Sequence, residues 1–376
     1  MPMSIETIGV VAGALLTAFL VSLVTTPIVK TLAQKWGAVD VPKDGRRMHD
    51  HPIPRMGGLA IFLGFLLSVV LFAPFVQKNG LGIQLQSMLL GAVVIVVLGI
   101  LDDIYALPAL PKLIVQIVAA IIAVGGGNLI DTISNPNIFS ADPYWELGWL
   151  AYPVTVIWIV AVTNAVNLID GLDGLACGVS TISSMTVLVI ALTVAEPAVA
   201  VLMACLAGGC IGFLPYNMNP AKIFMGDTGS TFLGYVLAVV SIQGLFKYYT
   251  LISFVVPFLM LGLPIFDTCF AFIRRIAHGQ SPMHADRSHI HHRLIDMGLS
   301  QKQAVAVLYV ISAILGLSAV VLTTVGSLRA MLLLFALFIA GAMSIMLFLH
   351  SGEKKRPDTA GREEPKPGTD DKEEKP

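Results

Sequence analysis

The chain reads as an all-α, polytopic membrane protein with about eleven transmembrane helices, and three observations predict this. Of its 376 residues 56% are hydrophobic and only 12% are charged, whereas soluble domains carry about 25% charged residues. Its apolar runs are continuous, and many approach the roughly 20 residues that a helix needs to cross a bilayer. Strands of a membrane barrel would instead alternate over about 10 residues. Finally, Lys and Arg are gathered into a few loops, so the net charge of -1 describes no single surface.

The apolar windows fall at 8–29, 57–75, 88–100, 113–124, 152–162, 179–194, 198–213, 231–245, 251–273, 304–322 and 331–350. The first is too long for the apolar core of a signal peptide and lacks a basic segment before it, so it is expected to stay as a span. The sixth and seventh are joined by Ala195-Glu196-Pro197, a turn so short that the two must be antiparallel neighbours.

Orientation follows from the basic residues. Lys30, Lys35, Lys43, Arg46, Arg47 and Arg55 lie in one segment, and Arg274, Arg275, Arg287, Arg293 and Lys302 in another. With an odd number of crossings both share one side with the C-terminus, which predicts N-terminus out and C-terminus in. The loop 126–151 has no Lys or Arg, and alternation around 130–139 suggests a small hairpin outside. Residues 1–350 are expected to form the integral membrane unit. The Lys/Glu/Pro-rich tail 351–376 is expected to be a disordered cytosolic extension. The four cysteines form no CxxC pair, so neither a zinc site nor a disulfide framework is indicated, and small buried thiols are expected.

Five polar segments then face the cytosol: 30–56, 102–112, 164–178, 215–230 and 274–302. The sharpest is NAVNLIDGLDGLA, where Asn167, Asp170 and Asp173 recur at three-residue steps and so converge on one face or turn. A lone Asp there would be an ordinary helix cap. Several acidic motifs ending on one membrane face argue for a functional site instead. In LGILDDIYALP, the pair Asp102-Asp103 can hold Mg²⁺ or supply a base, or can simply mark a helix end meeting water. Lys112 can reach a phosphate or snorkel to the interface. In PYNMNPAKIFMGDTGS, Asp227 stands among glycines and hydroxyls that open a span. That arrangement suits phosphate and metal, although Asp and Ser are also common caps. Phe224 beside it can stack on a base or act as an interfacial anchor.

SPMHADRSHIHHRL gathers Arg287, His289, His291, His292 and Arg293. Without cysteines or an HExxH pattern, and with interleaved arginines, this loop suits phosphate better than zinc. DVPKDGRRMHDHPIPRMGG can attract an anionic headgroup or nucleotide. Taken by itself it is explained by topology alone.

Jointly, PRMGG, LDDIYALP, NAVNLIDGLDGLA, NPAKIFMGDTGS and DRSHIHHRL resemble the polyprenyl-phosphate N-acetylhexosamine-1-phosphate transferases, glycosyltransferase family 4, over residues 40–298. The DRSHIHHRL form resembles the branch that uses UDP-N-acetylglucosamine and undecaprenyl phosphate to prime teichoic acid, common antigen or O-antigen. The resemblance implies attack of a lipid phosphate on the β-phosphorus of a UDP-sugar, releasing UMP at the cytosolic face of a bacterial plasma membrane. By position it implies Asn167 and Asp227 as ligands of Mg²⁺, with Mn²⁺ as a substitute. Asp102 would handle the lipid phosphate, with Asp103 beside it and Asp170 in the site. Asp173 and Phe224 would contact uracil, and Lys112, Arg287, His289, His291 and His292 phosphate or sugar. The expected partners are the UDP-N-acetylhexosamine, the polyprenyl phosphate and the bilayer. Nucleic acid is not among them, and a homodimer is left open.

The rival readings are narrower. A phospho-MurNAc-pentapeptide transferase would usually carry a different histidine loop. A secondary transporter would show inverted repeats and charges near the bilayer midplane, whereas here the acids gather at span ends and no repeat is visible. An inactive scaffold would be expected to have lost acids from these motifs, and none is missing.

Overall fold

The computed structural model describes residues 3–42, 51–134, 144–244, 255–277 and 289–324. They form an all-α protein with two minimal two-stranded ribbons. The helices are α1 (Ile5–Lys35), α2 (Gly58–Lys78), α3 (Ile83–Tyr105), α4 (Ala109–Gly125), α5 (Ala151–Leu168), α6 (Leu175–Thr193), α7 (Pro197–Asn217), α8 (Gly226–Gly244), α9 (Val255–Met260), α10 (Gly262–Ala277), α11 (Ile290–Asp296) and α12 (Gln301–Thr324). Seven of the segments are long and apolar enough to cross a membrane, and the helices Ala109–Gly125 and Gly262–Ile273 are apolar but shorter. The window at 331–350 and the tail lie outside the described residues, as do 135–143 and most of the loop before His289.

Two helices form the centre. The face of α7 meets α1, α2 and α6, and α8 packs against α2, α3, α5 and α6. Both are buried around nearly their whole circumference, as helices at the centre of a bundle are. Close approach rests on small side chains, as expected where lipid tails remove the hydrophobic drive between helices. Ala14, Ala18 and Ser22, one turn apart on α1, are fully buried. They face Gly208 and Gly212 of α7, where an added Cβ would run into backbone carbonyls of Leu15 and Phe19. The opposite face of α1, with Leu16, Leu20, Val24 and Ile28, is exposed.

Local signals set the ends. Ser4 caps α1 by accepting the Thr7 amide at 3.1 Å. α6 and α7 are antiparallel neighbours across the short 194–196 turn, as their spacing predicts. The hairpin pairs strand Thr132–Ser134 with strand Tyr144–Glu146, so its second strand lies beyond the 130–139 alternation. Helix α3 runs past its apolar window to Tyr105, which places Asp102 and Asp103 on its last turns rather than in a loop. Cys177, Cys205 and Cys210 are buried, but Cys269 on α10 is exposed, contrary to expectation. Its thiol lines an apolar groove instead of the core.

The ends of α3, α5 and α7 and the starts of α4, α6 and α8 come together. The PRMGG segment locks them. Phe224 donates its amide to the Pro54 carbonyl at 2.8 Å, and Gly57 and Gly58 donate to Phe224 and Met225 carbonyls at 2.9 Å. Met56 within this bracket is fully buried at φ 73°, an uncommon backbone for a large side chain. A Cβ on Gly58 would overlap the backbone of Gly229, and one on Gly99 that of Thr228. Gly58→Ala is therefore expected to destabilise the fold by about 1–3 kcal/mol, the usual effect of overpacking. Thermal unfolding in detergent measures it, and an unchanged midpoint would show that the backbones separate freely.

Candidate active site

Asp103 is the structural root of the site. Its carboxylate leaves the end of α3 and reaches the start of α8. There it accepts the amides of Asp227 and Thr228 at 3.0 and 3.1 Å and the Thr228 hydroxyl at 2.6 Å. These are orphan donors of a helix N-terminus, and a carboxylate also meets the favourable end of the helix dipole. Gly226, at φ 71°, passes so close to this carboxylate that a Cβ would collide with it.

With α3 and α8 joined in this way, Asp102 and Asp227 face a common cation. Lys112, near the start of α4, donates to Asp102 Oδ2 at 2.9 Å and to Asp227 Oδ2 at 3.1 Å. Asp102 Oδ1 accepts the Leu107 amide at 2.7 Å, which fixes the turn between α3 and α4. Asn167, on the last turn of α5, donates to Asp227 Oδ1 at 3.2 Å and to Ser230 Oγ at 2.7 Å. One turn deeper, Asn164 donates to Gln116 Oε1 at 2.6 Å, so a polar pair also ties α4 to α5.

Asp170 lies in the turn between α5 and α6. Burial first, and then the charges of Asp227 and Asp103, push its pKa up to about 8, with Arg55 opposing. Asp173 accepts Asn219 Nδ2 at 2.9 Å and the Ala221 amide at 3.0 Å, holding the loop that leads to Phe224. That loop is braced from α12, where Gln301 accepts from Asn219 and Tyr309 donates to the Gly174 carbonyl.

The histidines arrive from α11. His291 is buried, and its Nε2 lies over Gly171, where a Cβ would collide with it. Its ring stacks parallel to that of His289, with centroids 5.7 Å apart, and lies 4.3 Å from that of His292. Burial, with the charges of His292 and His289, lowers the His291 pKa to about 4 against the pull of Asp267. This ring is neutral at physiological pH. The structure thus brings Asn167, Asp102, Asp103, Asp170, Asp227 and Lys112 into one cluster, with Asp173, Phe224, His289, His291 and His292 on the loops around it. Arg287 lies outside the described residues.

Arg55, Gln116 and Asp267 were not among the sequence candidates. Arg55 sits in the PRMGG bracket beside Phe224 and acts electrostatically on Asp170. Gln116 gives no signal in a lone apolar window. Asp267 does: an acid inside an apolar helix is a functional-site hypothesis by default.

Among the described residues no three His, Cys, Asp or Glu side chains form a ready metal cage. Mg²⁺ does not require one, since it usually takes one or two carboxylates together with water and substrate phosphates. Asp102 and Asp227 offer such a pair, and the Lys112 ammonium bridging them shows that a cation fits between them. The Asn167 carboxamide, which donates to Asp227 through Nδ2, would add a third oxygen on rotation about its terminal bond.

Residues 85–245 match the model of glycosyl transferase family 4. A probable undecaprenyl-phosphate N-acetylglucosaminyl 1-phosphate transferase of Bacillus subtilis is 46% identical over 329 residues, covering 86% of this chain and 89% of that protein. This chain belongs to glycosyl transferase family 4. A decaprenyl-phosphate N-acetylglucosaminephosphotransferase of Mycolicibacterium smegmatis is 33% identical over 78% of the chain and 77% of its own length. A phospho-N-acetylmuramoyl-pentapeptide-transferase of Bacillus mycoides is also 33% identical, over 61% of the chain and 75% of its own length.

The raised pKa of Asp170 gives a pH test. Between about pH 4 and pH 8 the folded chain holds a proton there that the unfolded chain has released, so folding stability falls as pH rises. Asp170→Asn is expected to flatten that fall in thermal unfolding measured in EDTA. A variant that keeps the wild-type slope would place the ionisation elsewhere.

Proposed function

We propose that this protein transfers GlcNAc-1-phosphate from UDP-GlcNAc to undecaprenyl phosphate at the cytosolic face of a bacterial plasma membrane, releasing UMP. The observation that carries the reading is the Asp102–Lys112–Asp227 clamp beside Asn167, set where helix ends gather. The relatives named as undecaprenyl- and decaprenyl-phosphate N-acetylglucosamine transferases support the same donor and acceptor.

The groove accounts for the lipid. Val154, Ile157, Ala161 and Ala165 of α5 form one wall, and Ile265 and Cys269 of α10 the other. From Val154 to Ala165 the wall climbs about 16 Å at 1.5 Å per residue. It ends within a turn of Asn167. A polyprenyl chain lying there presents its phosphate to the cluster while its tail stays in apolar surroundings.

In the reaction, an oxygen of the lipid phosphate attacks the β-phosphorus of the UDP-sugar. The bond from that phosphorus to the bridging oxygen breaks, and UMP leaves with the electron pair. A lipid monophosphate is already largely ionised at neutral pH, so direct attack needs little activation. Asp102 orients that phosphate through Lys112. Lys112 opposes the repulsion between two anions and the charge that develops on the leaving group. Asp227 and Asn167 would hold Mg²⁺, or Mn²⁺, which would supply further charge neutralisation. Phe224 and Asp173 border the side where uracil would lie, and the histidines the side of the sugar and its phosphate. With about eleven crossings and the basic loops inside, this end of the bundle faces the cytosol.

Purified protein is expected to release UMP when UDP-GlcNAc, undecaprenyl phosphate and Mg²⁺ are all present, and to stop in EDTA. UMP release without lipid, or none with all three, would refute the reading. A preference for UDP-MurNAc-pentapeptide would move the donor to the other branch. Orientation has its own test on a cysteine-free background. Trp149→Cys should react with an impermeant thiol reagent on intact cells, and Lys222→Cys only after lysis. The reverse pattern would turn the protein over in the membrane.

A further inference from the structure

Asp267 is a carboxylate in an otherwise apolar stretch of α10, only 3% exposed. It lies about 200° around the helix from both Ile265 and Cys269, which line the groove, and so points away from the lipid. Both of its oxygens are engaged from α11. Oδ2 meets His289 Nδ1 at 2.9 Å, and Oδ1 accepts the Ile290 amide at 2.8 Å. His289 is itself 6% exposed and is the N-cap residue of α11. Its ring continues through the parallel stack onto His291, which rests on Gly171 beside Asp170.

A buried carboxylate is retained only where its partners satisfy it. Here those partners are one imidazole N–H and one backbone N–H. Whether the His289 ring is neutral or charged, the proton at Nδ1 is directed to Asp267. That leaves Nε2 at the opposite edge of the ring, and the bond holds the ring in one orientation, as a carboxylate does for a working histidine elsewhere.

We propose that Asp267 is a positioning residue for the transfer reaction: it fixes the tautomer and orientation of His289 so that Nε2 serves the sugar-phosphate side of the active site. Only the assignment of what Nε2 faces rests on the transferase reading. The Asp267–His289 bond itself does not. The same helix that walls the lipid groove thus also anchors the histidine loop, and one rigid element sets the position of both substrates.

The test is a double-mutant cycle on UMP release in detergent, joined to ¹⁵N spectra of histidine-labelled protein. Asn keeps one acceptor oxygen and so must abandon either His289 or the Ile290 amide. Asp267→Asn should lower kcat by roughly 10–100-fold, the scale for a residue that orients a working histidine. KM for the UDP-sugar should change less. Asp267→Glu, which keeps two acceptors, should recover part of the loss. In a His289→Ala background Asp267→Asn should cost no more than twofold, because the group it positions is gone. An equal loss in both backgrounds would show that Asp267 acts independently of His289 and would overturn the proposal. In wild type the His289 resonance, identified by its absence from His289→Ala, should show a protonated Nδ1, and an unprotonated Nδ1 would overturn it as well. If Asp267→Asn aggregates, the Glu variant and the wild-type spectrum still decide. A wild type without UMP release would refute the transferase reading while leaving the spectrum to judge the Asp267–His289 bond.

Discussion

Everything at the reactive end of the molecule depends on one carboxylate capping a helix that is not its own. Asp103 gives both oxygens to the first amides of α8 and to the Thr228 hydroxyl. That bond registers α3 against α8, two helices in extensive contact along their length. With the two helices in register, Asp102 and Asp227 lie close enough to share one cation, Lys112. Asp103 therefore reads as the residue that builds the site, with Asp102, one position earlier, left to address what enters it. Adjacent acids in sequence have been given separate work by the turn of the helix.

Much of this was legible in the chain. Apolar windows near the span length located most helices, because in a bilayer an unpaired backbone is costly enough to force helical structure. The acids at 102–103, 170, 173 and 227 signalled their cluster because charged groups at membrane helix ends are expensive unless used. What the one-dimensional pattern could not carry were contacts made by the backbone. The PRMGG bracket works through carbonyls and amides pairing with residues 224 and 225, far along the chain. No side-chain pattern encodes that pairing. The basic residues around it explained themselves as a topology signal and hid the glycines' task, which is to let α2 and α8 touch at Gly58 and Gly229. Asp267 was missed for the opposite reason: the signal was present, but a single acid inside a long apolar window was absorbed into the span.

The site also shows a conflict between stability and use. Asp102, Asp103, Asp170, Asp173 and Asp227 crowd one end of the bundle, and at the cluster Lys112 and Arg55 are the described cations that oppose them. The conflict falls on Asp170, whose pKa burial and the charges of Asp227 and Asp103 raise to about 8. Local conflict of this kind is tolerated where a ligand is meant to relieve it. A metal cation would relieve this one directly.

The same logic explains why the histidines of α11 are anchored on the apolar helix α10. A chemistry that joins a lipid phosphate to a water-soluble nucleotide sugar has to place two substrates that arrive from different phases. Loops alone are poor at such precision. Here α10 carries the groove wall on one face and Asp267 on the other, while α5 carries the facing wall and ends in Asn164 and Asn167. Each substrate side is thereby referred to rigid helices: α10 packs directly on α5, and α5 on α8. The geometry of the reacting atoms follows from helix packing deep in the bundle, where glycine contacts leave the backbones little room to shift.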